Sequence, residues 1–249
     1  ILKQAKEENA VILFGDEVSF AMWGSLSRTW GPTGQQPEVK TKGIRKGLKM
    51  YGAIELRNGG FHYRESLAYA LTAKSLKLLK GDEVPEEVLT LLKTLKDEKY
   101  STQSLFSAAL KTLLGEEVVQ KYLALILKHS EAAGRFNGDG YMEFLKQIHE
   151  HYDCKVILIE DGAAYHRRAD VEAYKKAAPR LSVYPLPAFS PDYNPIEKLW
   201  KNTKRDATHL KYFETFEKLR ESVIGAFKDY LNDASKVTCV MKKLRLELL

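Results

Sequence analysis

Apolar and polar positions along the chain read as strands first, helices next, and both in alternation after that. Residues 11–20, VILFGDEVSF, form an apolar run that ends among acidic side chains and predict a strand. Residues 48–56 and 61–69 predict two more, parted by Asn58-Gly59-Gly60, a strong hairpin signal. A Gly/Pro-rich connection over 31–37 joins the first strand to the second.

Residues 73–134 differ in character, with Leu, Lys, Glu and Ala dominating. Val84, Val88, Leu91, Leu92 and Leu95 recur at helical spacing, as do Val118, Tyr122, Leu125 and Ile126. Pro85 suits a first helical turn, and Gly81 and Gly115 punctuate. The segment predicts an all-helical insertion.

Thereafter helices are predicted over 140–152, 168–178, 195–207, 213–231 and 234–246, and strands over 156–159 and 181–186. The continuous apolar run at 156–159 is what a strand covered on both faces requires. A three-strand meander, a helical insertion and then αβα units imply an α/β fold, a mixed sheet with helices against it.

Composition narrows the class. With 249 residues, 44% hydrophobic and 29% charged, the chain matches an ordinary globular protein large enough to bury a core. Its two cysteines, Cys154 and Cys239, are far apart and form no CxxC pair, which argues against a disulfide framework or a structural zinc site. No apolar run approaches the roughly 18 residues that span a bilayer, so no membrane partner is expected. Ile1 in place of Met, followed by the charged run KQAKEEN, reads as a trimmed chain whose upstream part is missing.

The net charge is +6, compatible with a polyanionic partner. Between residues 74 and 131 nine lysines face nine acidic residues, so that stretch is neutral and the excess lies in the flanks. Neutrality and amphipathic helices give the insertion the look of a protein-contact element.

Three acidic residues stand where strands or helices expose their ends. Asp16 follows the apolar run at 11–14, Asp161 follows 156–159 after Glu160, and Glu197 lies in a first helical turn after Pro195. Ligands gather at the C-terminal ends of adjacent strands in open α/β sheets. Carboxylates brought together there repel unless a cation neutralises them. Mg²⁺ prefers hard oxygen ligands and leaves positions open for phosphate oxygens. Spacing alone does not single out these three among 33 acidic residues.

The neighbouring residues do more. The run Leu186-Pro187-Ala188-Phe189-Ser190-Pro191-Asp192-Tyr193-Asn194-Pro195-Ile196-Glu197-Lys198-Leu199-Trp200 closely resembles the LPxYSPxLNPIExxW signature of the mariner superfamily of transposases, in particular its bacterial insertion-sequence members. Asp161-Gly162-Ala163-Ala164-Tyr165-His166 resembles that superfamily's second motif, with Gly162 where Asn is usual. The FGDEVSF run at 14–20 and the RTWGPTGQQP run at 28–37 resemble the first motif and the loop after it. Thirty-five residues separate Asp161 from Glu197, close to the spacing in the superfamily's DDE enzymes.

The resemblance implies an RNase H-like fold, a five-stranded mixed sheet flanked by helices, with the 73–134 insertion after the third strand of a single catalytic domain spanning 1–249. It implies that Asp16, Asp161 and Glu197 bind Mg²⁺ or Mn²⁺, as two ions. It further implies DNA cleavage at transposon ends, joining of the freed 3′-hydroxyl to target DNA at TA, and a homodimer in the active complex. The working compartment is then the nucleoid-associated cytoplasm of a prokaryote. The helix-turn-helix region that reads element ends in relatives is absent from this sequence. A nuclease of the same fold without strand transfer, and a domesticated DNA-binding or assembly protein, are the alternatives.

Further candidates are weaker. Lys40, Lys42, Arg45 and Lys46 either track a phosphate backbone or form a solvated loop. Lys201 and Arg205 follow Glu197 on one helix and favour a DNA role. Trp30, in a loop, is a DNA-contact candidate, whereas Trp200 is expected to anchor its helix in the core. His166 either touches substrate phosphate, positions Asp161, or caps a helix. Asp192 reads as a turn residue. His149, His151, Asp153 and Cys154 read as a polar helix end, because positions two apart do not share a helix face. Glu17 and Glu160 should face away from the acidic neighbours they adjoin.

Overall fold

The computed structural model describes residues 1–23, 29–35, 38–40, 46–187 and 193–248. The chain opens with helix α1 (Leu2–Glu7) and strands β1 (Val11–Ala21), β2 (Gly47–Glu55) and β3 (Phe61–Glu65). Next come β4 (Leu67–Ala70), α2 (Ala73–Gly81), α3 (Glu86–Leu92), β5 (Lys99–Tyr100), α4 (Gln103–Leu114), α5 (Glu116–Ser130) and β6 (Glu131–Ala133). The chain continues through α6 (Gly138–His151), β7 (Val156–Glu160), α7 (Ala169–Ala177), β8 (Leu181–Pro185) and α8 (Ile196–Thr203). It closes with α9 (Phe216–Asn232), α10 (Ala234–Val240) and α11 (Lys242–Leu248). Among the described residues no helix is long and apolar enough to cross a membrane.

Two compact units result, Ile1–Glu65 with Tyr141–Leu249, and Ser66–Gly140. The first is built on the expected five-stranded mixed sheet, ordered β3-β2-β1-β7-β8. β1, β2 and β3 pair antiparallel, while β7 runs parallel to both β1 and β8.

Side-chain parity along β1 sorts its residues between the two sides of the sheet, because successive residues of a strand point to opposite faces. Ile12, Phe14, Val18 and Phe20 enter a core shared with Trp200, Leu219, Val223, Phe227 and Val237 of α8, α9 and α10. Phe61 of β3 lies edge-on to Trp200, Phe227 and Tyr230 there, with ring centroids 5.1–6.1 Å apart. On the opposite face α6 covers the sheet. Its Tyr141, Phe144, Leu145 and Ile148 are buried, and Phe144 stacks on Tyr51 of β2 at 5.9 Å.

In the second unit α2 begins with a capping box between Thr72 and Ser75, and Thr102 caps α4. Gly115, at φ 79°, lets the chain turn straight from α4 into α5. Leu71, Leu79, Leu92, Phe106, Leu110 and Ile126 form this unit's own core.

Two expectations need correction. The segment is not all-helical, since β5, β4 and β6 form a small three-stranded sheet. Strands of two to four residues are too short to leave an alternation signal. The single strand expected over 61–69 also breaks at Ser66. Its carbonyl accepts from Gly134 N at 3.0 Å, and its Oγ donates to the Arg135 carbonyl at 2.9 Å. A Cβ on Gly134 would lie 2.3 Å from the Ser66 carbonyl oxygen, so only glycine permits this approach.

Candidate active site

Asp16 is an even-numbered position of β1, on the same side as Phe14 and Val18, and so it faces α8. The register pairs Phe14 with Ile159. Two residues further on, Asp16 and Asp161 lie at the corresponding positions of β1 and of the segment leaving β7. Ile157 and Ile159 share the core of Phe14, and Asp161 follows directly after β7, which ends at Glu160. Glu197 is exposed in the first turn of α8, where the helix dipole favours an acid. Ile196, Leu199, Trp200 and Thr203 are the buried side of that helix, the i, i+3, i+4, i+7 set.

Two contacts fix α8 against β1. Asn194 Nδ2 donates to the Gly15 carbonyl at 2.9 Å, and Trp200 Nε1 donates to Asp16 Oδ2 at 3.1 Å. Burial pushes the Asp16 carboxyl up to about 7. A backbone hydrogen bond at Glu17 opposes the rise, and the negative charges of Glu17, Glu197 and Asp161 add to it. Asp161 and Glu197 thus both lie near enough to Asp16 for their charges to act on it. All three offer hard oxygen donors of the kind divalent cations take.

The other face of β1 carries a second set of contacts. Glu17 Oε1 accepts from Tyr165 OH at 2.5 Å and meets His166 Nε2 at 2.8 Å, while His166 Nδ1 lies 3.1 Å from the Asp161 carbonyl oxygen. Glu160 is buried and accepts from Tyr141 OH. The Tyr141 ring stacks on the His166 imidazole at 4.0 Å. Burial opposes a charged His166, but hydrogen bonding to Glu17 and the charges of Glu160 and Glu17 outweigh it and raise its pKa. Burial likewise lifts Glu160 to about 7, against the pull of His166 and of the Tyr141 hydrogen bond.

One ligand atom each from Glu17, Asp161 and His166 lies within 4.8 Å of the others. Glu17 and His166 already bond each other, and His166 also bonds the Asp161 backbone. We therefore read the group as a clamp on the Asp161 turn. Glu17 faces away from Asp16, as strand parity requires, but Glu160 and Asp161 are not so parted: Asp161 lies past the end of β7, and its Oδ1 and Glu160 Oε1 stand 3.7 and 3.5 Å from the same His166 Nδ1.

His166 is only 3% exposed and both its ring nitrogens are engaged. It is corrected from a phosphate-contact candidate to a residue that holds Asp161, because a buried imidazole presents no surface to a phosphate. Trp30 is fully exposed, and Lys40 and Lys201 are exposed too. Lys46 is half-buried, with Nζ 4.1 Å from the centre of the Phe216 ring. Arg205 is exposed and bonds Asp206 through Nε at 2.7 Å. Lys42, Arg45 and Asp192 lie outside the described residues. His149 meets Tyr174 OH at 3.1 Å, and the His151 ring lies against His62, so these two imidazoles pack with aromatic neighbours.

Sequence reasoning missed the Trp200–Asp16 bond, the Asn194–Gly15 bond and the Glu17–Tyr165–His166 set. The signal for the last was available, because strand parity placed Glu17 opposite Asp16 and the mid-strand acid needed a partner there.

Residues 97–220 match the DDE superfamily endonuclease family, a stretch that contains Asp161 and Glu197 but not Asp16. No curated protein sequence matches the chain. Among solved structures, the Mos1 strand transfer complex is similar at a TM-score of 0.52 and 16% identity, over 99% of this chain and 56% of that one. The Mos1 mariner paired-end complex with Mn gives 0.45 and 15%, over 99% and 59%. The Mos1 mariner catalytic domain gives 0.42 and 14%, over 99% and 84%. The first of these likenesses, at 16% identity, bears on fold alone, and the chain spans little more than half the length of the Mos1 chains in the two complexes. Over residues 97–220, therefore, the chain carries the DDE superfamily endonuclease pattern, on an RNase H-like fold.

Proposed function

We propose that this chain is the catalytic domain of a mariner-like DNA transposase of the bacterial insertion-sequence type, acting on transposon ends and joining a 3′-hydroxyl to target DNA at TA. The observation that carries the proposal is the placement of Asp16 on β1, Asp161 just past the end of the adjacent parallel strand β7, and Glu197 in the first turn of α8, a helix that Asn194 and Trp200 bond to β1. Residues 1–249 act as one catalytic domain interrupted by the 73–134 segment, paired as a homodimer around two element ends on the nucleoid.

Asp16, Asp161 and Glu197 would hold two Mg²⁺ or Mn²⁺ ions. Bound there, divalent cations activate the attacking oxygen and stabilise the leaving one. The chain's own residues prepare that site. Trp200 fixes one oxygen of Asp16, Asn194 ties the start of α8 to β1, and His166 with Glu17 holds the Asp161 turn. Because burial, and then the neighbouring carboxylates, raise Asp16 to about 7, the cation-free site favours a protonated Asp16 below that pH, and cation binding would release that proton.

The test is cleavage and strand transfer on a duplex carrying the element end, with Mn²⁺ or Mg²⁺. Asp161→Asn should lower cleavage more than about a hundredfold, beyond the range seen when only a supporting partner of a metal ligand is lost. DNA binding in EDTA should persist. Wild-type cleavage by that variant overturns the site. Cleavage without joining of a precut 3′ end assigns the chain to nucleases of this fold.

A further inference from the structure

A groove of about 1150 Å³ lies along α8, α9, α10 and α11, bordered, among the described residues, by Lys198, Lys201, Arg205, Lys236, Lys242 and Lys243 against Asp206 and Asp229. Both acids are already matched within it, Asp206 with Arg205 at 2.7 Å and Asp229 with Lys236 at 3.7 Å. Lys198, Lys201 and Lys242 are exposed and have no acidic partner among the described residues. Holding like charges side by side is unfavourable unless a polyanion uses them.

The spacing on α8 gives the groove a direction. Lys201 is four residues after Glu197 and three after Lys198, so it shares a helix face with each. The cationic row therefore begins within one turn of a carboxylate of the candidate site and runs towards α11. Its floor is apolar and aromatic, with Ala226, Tyr230 and Val240, and Leu246 is 79% exposed at one side. Cations along an edge with an apolar floor match a phosphodiester backbone with sugars and base edges beneath it.

We propose that this groove is a DNA track, in which Lys198, Lys201 and Lys242 neutralise phosphates of the strand leading away from the cleaved bond. The inference takes from the proposed function only its partner, DNA, and it needs neither metal nor turnover.

Binding of a fluorescent 30-base-pair duplex is measured by anisotropy in EDTA, across a series of salt concentrations. Lys198→Ala/Lys201→Ala/Lys242→Ala should weaken binding about tenfold or more near physiological salt, and flatten the slope of log K against log salt by about three. A control triple at exposed lysines of the other unit, Lys74→Ala/Lys77→Ala/Lys121→Ala, should change neither. Equal losses in both triples mean diffuse charge and overturn the proposal, as does no loss in the first. Equal competition by polyglutamate would assign the groove to acidic protein and overturn it too.

Cys239 is exposed and lines the groove, whereas Cys154 is half-buried and lies outside it. A duplex whose tethered thiol is carried as a mixed disulfide with thiopyridine should exchange with the Cys239 thiolate, releasing the thiopyridine and joining the DNA to the wild type but not to Cys239→Ser. Failure of that cross-link in the wild type overturns the location. Asp161→Asn should bind and cross-link normally, so failure of the catalytic reading would leave this result intact.

Discussion

Asp16 must become an anion in a half-buried place, beside other anions. Among the described residues its one side-chain donor is the Trp200 indole, 3.1 Å away, and the indole is itself held by a residue chosen for size. Gly52 of β2 lies opposite Asp16 in the sheet register, and a Cβ there would stand 2.4 Å from Trp200 Cη2. The Gly52 backbone is thus the seat of the ring that orients the acid. Trp200→Phe keeps an aromatic body and removes the donor. It should lower Mn²⁺ affinity about 10–100-fold, the usual effect of losing a partner that orients a metal ligand, with a near-native melting temperature. Isothermal titration decides, and unchanged Mn²⁺ affinity would show that the bond is incidental. Gly52→Ala should instead destabilise the fold by about 1–3 kcal/mol through overpacking, measured by urea unfolding. A neutral result there would mean that the indole can move aside without cost.

β1 works at the scale of an element as a two-faced device. Its even positions carry the core and Asp16, and its odd position Glu17 carries the clamp that ends on the Asp161 backbone. His166→Ala removes both of the clamp's donors and leaves Glu17 buried with Tyr165 alone. The cost should be about 1–3 kcal/mol for partners left unsatisfied, with cleavage reduced and duplex binding in EDTA unchanged. His166→Asn keeps a donor near the Nδ1 position and should recover part of the cleavage. If the alanine variant cleaves normally, the clamp does not position Asp161. Much of this element was legible beforehand. The apolar run that ends among acidic side chains over 11–20 located β1, and the apolar run at 156–159 located β7. Pro195 located the start of α8, because proline suits a first helical turn. The hydrogen bonds across the site were not legible. Asn194 meets Gly15, and Trp200 meets Asp16, across about 180 residues of chain, and no local pattern encodes such a pairing. The short strands β4, β5 and β6 escaped for a related reason, since each is defined by its partners more than by its own side chains.

At the scale of the whole molecule, three carboxyl and imidazole groups among the described residues hold protons more tightly in the metal-free fold than in the unfolded chain. Asp16 rises from 3.8 to about 7, chiefly by burial, and Glu160 rises from 4.5 to about 7 for the same first reason. His166 is raised above 6.5 because its hydrogen bond to Glu17 and the neighbouring acids outweigh the effect of its burial. Where the folded state binds more protons, raising the pH costs stability. For the two carboxyls the loss accrues from their unfolded values up to about 7. For His166 stability is full below 6.5 and is lost as the pH passes its raised folded value. His62 opposes them. Burial, and then His151, lower it from 6.5 to about 4, so its contribution grows between those values and offsets one of the two carboxyls. The net expectation is a melting temperature in EDTA that falls from pH 5 to pH 8. A divalent cation bound at Asp16 requires the ionised carboxylate, so it must displace the proton below pH 7 and meets no proton above it. Mn²⁺ should therefore raise the melting temperature more at pH 8 than at pH 5.5, and flatten the decline. Scanning calorimetry at both pH values, with and without Mn²⁺, measures this directly. A melting temperature in EDTA that climbs towards pH 8 would contradict the proton balance. An Mn²⁺ shift equal at both pH values would mean that the cation binds somewhere other than Asp16.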